Sequence, residues 1–324
     1  MSGVLGDITA PSVLLIGIGG GGDILATLPL AHFLKRSGVR VSLAGLSWKR
    51  REHDFLHRPR RIAEFSGITH FNDRIGLVHP GTKVGDTVHV EAYVSGIDPG
   101  RDVLTIDISG GIRETQECLE EYVEKRDISR IVLIDVGGDV LCSGDEPTLR
   151  SPICDQTVLA ACADNSKVVL AVFGLGADGE LTFTDFLNRF RSLRSSSAFI
   201  GAVHLNQLGC DDILSDIING SSECSKAALE FYTKPQNKKI LAEYRHIAAS
   251  DFDLDSQKIS VVGVPLRSGA REGELSALTP CYLWFNAKKV YSSSKFSSWL
   301  NPQWNVEQTI AELKSLGVRT EADD

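Results

Sequence analysis

Five apolar, β-branched runs punctuate the first part of the chain: Val13–Ile18, Val39–Ala44, Val103–Ile108, Ile131–Val136 and Val168–Phe173. None of them alternates cleanly between apolar and polar positions, which is the pattern of strands covered on both faces. Amphipathic helical patterns separate several of them, at Leu25–Arg36, Glu114–Lys125, Pro152–Ala163 and Phe183–Leu193. Strands alternating with helices predict right-handed crossovers and an α/β fold, a Rossmann-like, doubly wound, mainly parallel sheet. Two stretches depart from that pattern. Near 78–100 the segment VGDTVHVEAYV alternates between Gly/Pro clusters and predicts a small β insertion. From residue 201 the texture becomes mainly helical, at Asp211–Ile218, Cys224–Tyr232 and Lys238–Ala249. A strand pair is expected at Lys258–Val264 and Pro280–Phe285, then a last helix at Val306–Leu316. The expected division is a core over 1–200 and a mainly helical extension or cap over 201–324 that completes the crevice, either extending the sheet or covering it.

In open parallel sheets, ligands bind outside the carboxyl ends of the strands. Here each apolar run ends in a distinctive turn: GIGGGGD (Gly17–Asp23), GLSWKRR (Gly45–Arg51), DISGG (Asp107–Gly111), DVGGD (Asp135–Asp139) and GLGADGE (Gly174–Glu180). Parallel strands would bring all five to one rim. Gly19, Gly20, Gly21 and Gly22 let backbone N–H groups approach an anion at a helix start. Asp23, Asp107, Asp135, Asp139 and Asp178 sit in glycine-flanked turns, and carboxylates gathered there repel unless a cation or shared protons offset them. Asp107, Asp135 and Asp139 are the acid/base candidates, and Asp23 and Asp135 the candidate ligands of Mg2+. Asp139 and Asp155 would serve equally well as helix caps. Trp48 would stack on a planar ligand or cover the sheet end, and Arg50 opens a basic stretch suited to an anion. Ser109, Gly110, Gly137 and Gly138 complete the ligand-binding set.

The leading expectation is an enzyme of group transfer or hydrolysis acting on a small anionic metabolite or nucleotide. Two alternatives stay open. Gly17–Gly22 also satisfies G-x-G-x-x-G, and Ser47, Lys49, Arg50 and Arg51 lie where the 2′-phosphate of NADP would be held, as in an oxidoreductase. Against that, no acid ends the second run, Asp23 would stand beside the pyrophosphate, and Pro29 interrupts a helix begun at Gly22. The other is a non-catalytic module whose acidic rim binds an amine-bearing metabolite. His53 and His57 have i, i+4 spacing without an H-E-x-x-H context, and neither G-x-S-x-G nor G-x-x-x-x-G-K-[ST] occurs. Pro265–Pro280 is read as a lid or an ordinary surface loop.

Charge narrows the classes further. The 324 residues carry 34 basic and 42 acidic side chains, a net charge of −8, so no basic excess exists for a broad nucleic-acid footprint. No apolar run approaches the roughly 20 residues that span a bilayer, and Met1–Pro11 lacks a signal-like start. A cytoplasmic protein without membrane partners is expected, with homo-oligomerisation left open. Seven cysteines without a C-x-x-C pair read as reduced core thiols.

The succession GIGGGGDILATLP, LAGLSWKRR, TIDISGG, DVGGDVL, SPICD and FGLGADGEL, over roughly Ser12 to Leu181, resembles the uncharacterised family of domain of unknown function 1152. The resemblance implies a Rossmann-like α/β fold and no established reaction. Family members follow the tryptophan with Glu-Arg, where this chain has Lys49-Arg50.

Overall fold

The computed structural model describes residues 4–20, 22–48, 58–97, 100–220, 226, 229–230, 232–233, 261–265 and 272–323. Its strands in chain order are β1 (Ser12–Gly17), β2 (Arg40–Leu46), β3 (Phe65–Ser66), β4 (Thr69–His70), β5 (Ile75–Leu77), β6 (Lys83–Val84) and β7 (Thr87–Val88). They continue as β8 (Val103–Ile106), β9 (Arg130–Val136), β10 (Val168–Phe173), β11 (Phe199–His204), β12 (Val262–Pro265), β13 (Glu272–Leu275) and β14 (Cys281–Phe285). Nine of these form one sheet in the order β11-β14-β10-β9-β1-β2-β8-β5-β4. The five strands expected from the apolar runs are its contiguous parallel centre, β10-β9-β1-β2-β8. Neighbouring residues of one strand enter different cores. Leu14 and Ile16 of β1 pack on one face with the helices Gly111–Lys125, Pro152–Cys162 and Phe183–Ser195, while Val13 and Leu15 pack on the other with Leu28–Arg36 and Val90–Ile97. Burial on both faces is why these runs read as continuously apolar.

The chain leaves β1 for β2 and β8 on one side, then returns to β9 and β10 on the other. The direction of winding therefore reverses between β1 and β9, and a crevice opens there beyond the carboxyl ends of the strands. The turn after β1 enters it as the short 3-10 helix Asp23–Thr27, and the turn after β9 as Asp139–Leu141. Pro29 is accommodated in the first turn of the helix Leu28–Arg36, where its missing N–H costs nothing.

Three expectations are corrected. Only β6 and β7 realise the β insertion, as a hairpin beside β3, and Val90–Ile97 is a helix. Val90, Val94 and Ile97 recur at i, i+4 and i+7, a helical stripe hidden within an apparent alternation. The expected pair of late strands does not form. β12 pairs with β13, while β14 runs antiparallel between β10 and β11. CYLWF is buried at all five positions, as a strand in the sheet interior must be. β11, not expected from the pattern, closes that edge, so the described part of 201–324 extends the sheet. The expected helix Lys238–Ala249, most of Cys224–Tyr232 and residues 266–271 of the Pro265–Pro280 segment lie outside the described residues, whereas its described part holds β13 and the buried turn 276–279. Among the described residues no helix is long and apolar enough to cross a membrane.

Candidate functional site

A cavity of about 20 Å³ lies at the reversal point, lined by Gly19, Gly20, Asp23, Trp48, Asp135, Asp139, Asp155 and Glu321 together with Ser151 and Cys154. That volume admits a single water- or ion-sized guest. Local chemistry explains how each acid reaches it. Asp23 opens the 3-10 helix after β1, and its Oδ2 accepts the N–H groups of Gly19 and Val136, each at 3.0 Å, tying the first turn to the end of β9. A Cβ on Gly19 would lie 2.5 Å from that same oxygen, so a glycine is required there for the carboxylate to fold back. Asp135 ends β9, and its Oδ2 accepts the N–H of Gly138 at 2.9 Å. Gly137 has φ 123°, and a side chain there would collide with the Asp178 carboxylate. Ser-Pro starts the helix Pro152–Cys162, whose first turn carries Asp155.

Asp23, Asp135 and Asp155 each offer an oxygen within 4.8 Å of the others, and Asp139, Asp178 and Glu180 form a second such group. All six side chains are buried. The second group is largely occupied by local donors. Glu180 accepts the N–H groups of Arg150 and Ser151 at 2.8 Å each and the Ser151 hydroxyl at 2.6 Å, and Asp178 accepts the Glu180 N–H at 2.9 Å. In the first group Asp23 and Asp135 accept backbone N–H groups through Oδ2, but Oδ1 of Asp135 and Oδ1 of Asp155 are buried and meet no hydrogen-bond donor among the described residues, which leaves a water, a proton shared with a neighbouring carboxyl, or a cation to satisfy them.

Electrostatics follow from this crowding. Burial, and then the Asp23 and Asp178 charges, hold the Asp135 carboxyl well above the ordinary range. Burial acts likewise on Asp139, reinforced by Asp155 and Asp135, and on Asp155, reinforced by Asp135 and Asp23. Glu321 is pushed up to about 7 by burial, although the N–H groups of Ile153 (3.1 Å) and Cys154 (2.7 Å) partly offset that. No Lys, Arg or His side chain among the described residues lines the cavity. Burial and the Glu321 carboxylate also push the Cys154 thiol well above its usual value, so it is no thiolate nucleophile.

With this geometry in view, comparison with known proteins supplies a family. A family model described as protein of unknown function (DUF1152) matches residues 14–251. The chain belongs to that family. A curated relative, the signal recognition particle 54 kDa protein of Methanococcus vannielii, is 26% identical over 129 residues, 38% of this chain. The aligned part covers about a quarter of that relative's length. No solved structure matches the chain.

In this DUF1152 protein the rim gathers Asp23, Asp135 and Asp139 around one cavity, with Gly19, Gly20 and Trp48 in its wall. Gly22 caps the 3-10 helix with φ 150°, and Gly138 precedes the Asp139 turn. Trp48 is 1% exposed and covers the sheet end. Asp107 is held elsewhere. Its Oδ2 accepts from Arg74 Nη1 at 2.7 Å and its Oδ1 from the Ser109 N–H at 2.8 Å. Arg74 also engages the Ser109 hydroxyl and Glu114, the residue beside Gly110. Ser47, a candidate for the 2′-phosphate, is fully buried and donates its hydroxyl to the Arg60 carbonyl at 2.6 Å. Gly21, Arg50, Lys49, Arg51, His53 and His57 lie outside the described residues. Three acids now stand out that sequence reading had not placed in the site. Asp155 and Glu180 were signalled by their motifs, SPICD and GLGADGE, whereas Glu321 lies in a plain polar segment and carries no local signal.

Proposed function

We propose that this protein is a small-molecule enzyme that holds a divalent cation between Asp23, Asp135 and Asp155 and catalyses group transfer or hydrolysis on a phosphate- or carboxylate-bearing metabolite. The observation that carries this reading is the pair of buried carboxylate oxygens without a donor among the described residues, Asp135 Oδ1 and Asp155 Oδ1, on two side chains that line one cavity. Oxygens bound to one Mg2+ lie about 2.1 Å from it and hence roughly 3–4 Å from each other. A trio within 4.8 Å closes on such an ion by small side-chain rotations. The ion would replace the protons that the crowded carboxyls otherwise retain, and would polarise a phosphoryl or carbonyl oxygen of the substrate.

Asp139 lies beside this trio rather than in it, with its proton affinity raised, and is the general acid or base of the scheme. The cavity takes only the reacting group of a metabolite, with the remainder outside the rim. Asp107, neutralised by Arg74, has no part in this chemistry. Thermal unfolding with phosphate, ADP, ATP, NADP and simple amines, each with and without Mg2+, tests the reading. Stabilisation by the phosphate compounds that depends on Mg2+ is expected. Stabilisation by NADP without metal would replace it with the oxidoreductase reading, and stabilisation by amines alone with a binding module.

A further inference from the structure

The helix Pro152–Cys162 points its N-terminus at the cavity, and its proline start leaves Ile153 and Cys154 as the first available N–H donors. Such a terminus attracts negative charge through its unpaired donors and its dipole. Here both donors are taken by Glu321, whose Oε2 accepts from Ile153 at 3.1 Å and whose Oε1 accepts from Cys154 at 2.7 Å. The carboxylate spans the two N–H groups as a bound oxyanion would. It arrives from the far end of the sequence, more than 160 residues away, on the short turn Glu321–Asp323.

A capping acid alone would be unremarkable, but the same cavity supplies an independent sign of a guest. Asp155 and Asp135, 2% and 1% exposed, each present a donor-less oxygen there. Glu321 thus adds another carboxylate to a pocket that no basic side chain among the described residues lines. We propose that the Ile153 and Cys154 N–H groups form the substrate's oxyanion subsite and that Glu321 is an internal stand-in which the incoming phosphate or carboxylate displaces. The inference rests on the cation reading for its strength alone: a cation between Asp155 and the bound anion would offset their repulsion, while the two N–H groups hold the anion by themselves. Bound in this way, the substrate oxyanion bridges the ion and the helix N-terminus, and the Gly19–Gly22 turn is left to position Asp23.

The test is chemical rescue in the full-length chain. Glu321→Ala removes both caps and should lower the melting temperature. Inorganic phosphate or acetate should restore it in proportion to concentration, more strongly with Mg2+ present, while the wild type responds at least about tenfold more weakly to the same anion. The better rescuer tells a phosphate from a carboxylate substrate. Should Glu321→Ala fail to fold, Glu321→Gln keeps the shape but weakens the hold on the two N–H groups, and it should bind phosphate more tightly than wild type by calorimetry. Variants that bind neither anion better than wild type, while Mg2+ still stabilises them, would overturn the subsite and leave the cation reading intact. Rescue by anions with no response to Mg2+ in any variant would keep the subsite and remove the cation.

Discussion

Asp107 and Asp135 occupy similar places: each stands at the carboxyl end of a central parallel strand, Asp107 just after β8 and Asp135 at the penultimate position of β9, each is 1% exposed, and each opens a turn of two glycines, DISGG and DVGGD. Their surroundings are opposite. Asp107 meets a guanidinium and a backbone N–H, so its charge is matched within the protein. Asp135 meets other carboxyls and keeps one oxygen without a donor. The difference shows that neither motif nor burial sets the surroundings of a strand-end acid: the fold sends Arg74 to Asp107, while no basic side chain among the described residues lines the cavity beside Asp135.

The largest effect is expected where the charge is matched. Asp107→Ala should cost about 2–3 kcal/mol in denaturant unfolding, because it removes the buried acceptor of Arg74 Nη1 and of the Ser109 N–H, although Glu114 still faces the guanidinium. Its response to Mg2+ should remain that of the wild type. A loss of Mg2+ stabilisation in this variant would erase the distinction between the two aspartates.

Asp135→Asn should do the reverse. At pH 8 its melting temperature without metal should equal or exceed that of the wild type, since one member of a repelling group is gone. Its stabilisation by Mg2+ and any activity should vanish. A destabilisation as large as that of Asp107→Ala would instead mark Asp135 as a structural cap.

Stability should also depend on pH with a definite sign. Asp135, Asp139, Asp155 and Glu321 hold protons in the folded protein at pH values where the unfolded chain has released them. The folded state therefore binds more protons, and stability falls as pH rises. For Glu321 the contribution is complete below its ordinary value of 4.5 and is lost as pH rises through about 7. Melting temperatures measured from pH 5 to pH 8 should decline by several degrees without metal, on the order of 1 kcal/mol or more. Mg2+ should flatten the decline by replacing the protons. A stability that rises over this range would contradict the crowding of carboxyls described above.

The smallest effect belongs to Cys154. Its thiol is buried and protonated, so Cys154→Ala should change stability by no more than about 1 kcal/mol and leave Mg2+ binding alone. Loss of Mg2+ binding in that variant would make sulfur a ligand.

The parallel centre of the sheet was legible because strands buried on both faces must be mostly apolar, and the five runs are, with Arg40, Ser42, Thr105, Asp107 and Asp135 as the exceptions. The glycine–acid turns were legible for the same reason: they sit where those runs end. What separates Asp107 from Asp135 was not. Arg74 comes from the connection between β4 and β5, which joins the sheet beside β8 through antiparallel pairing that no local pattern specifies. Glu321 escaped notice because its role rests on one long-range pair of hydrogen bonds, and β14 because its insertion between β10 and β11 is a matter of topology.

Calorimetric titration of the metal-free full chain with Mg2+ at pH 8, repeated on Asp135→Asn and Asp155→Asn, addresses the centre of this reading most directly. One ion bound per chain, with binding lost in either variant and retained in Asp107→Asn, is expected. Heat of binding that is absent from the wild type, or unchanged in Asp135→Asn and Asp155→Asn, would show that the two donor-less oxygens hold no cation and are satisfied by shared protons or water.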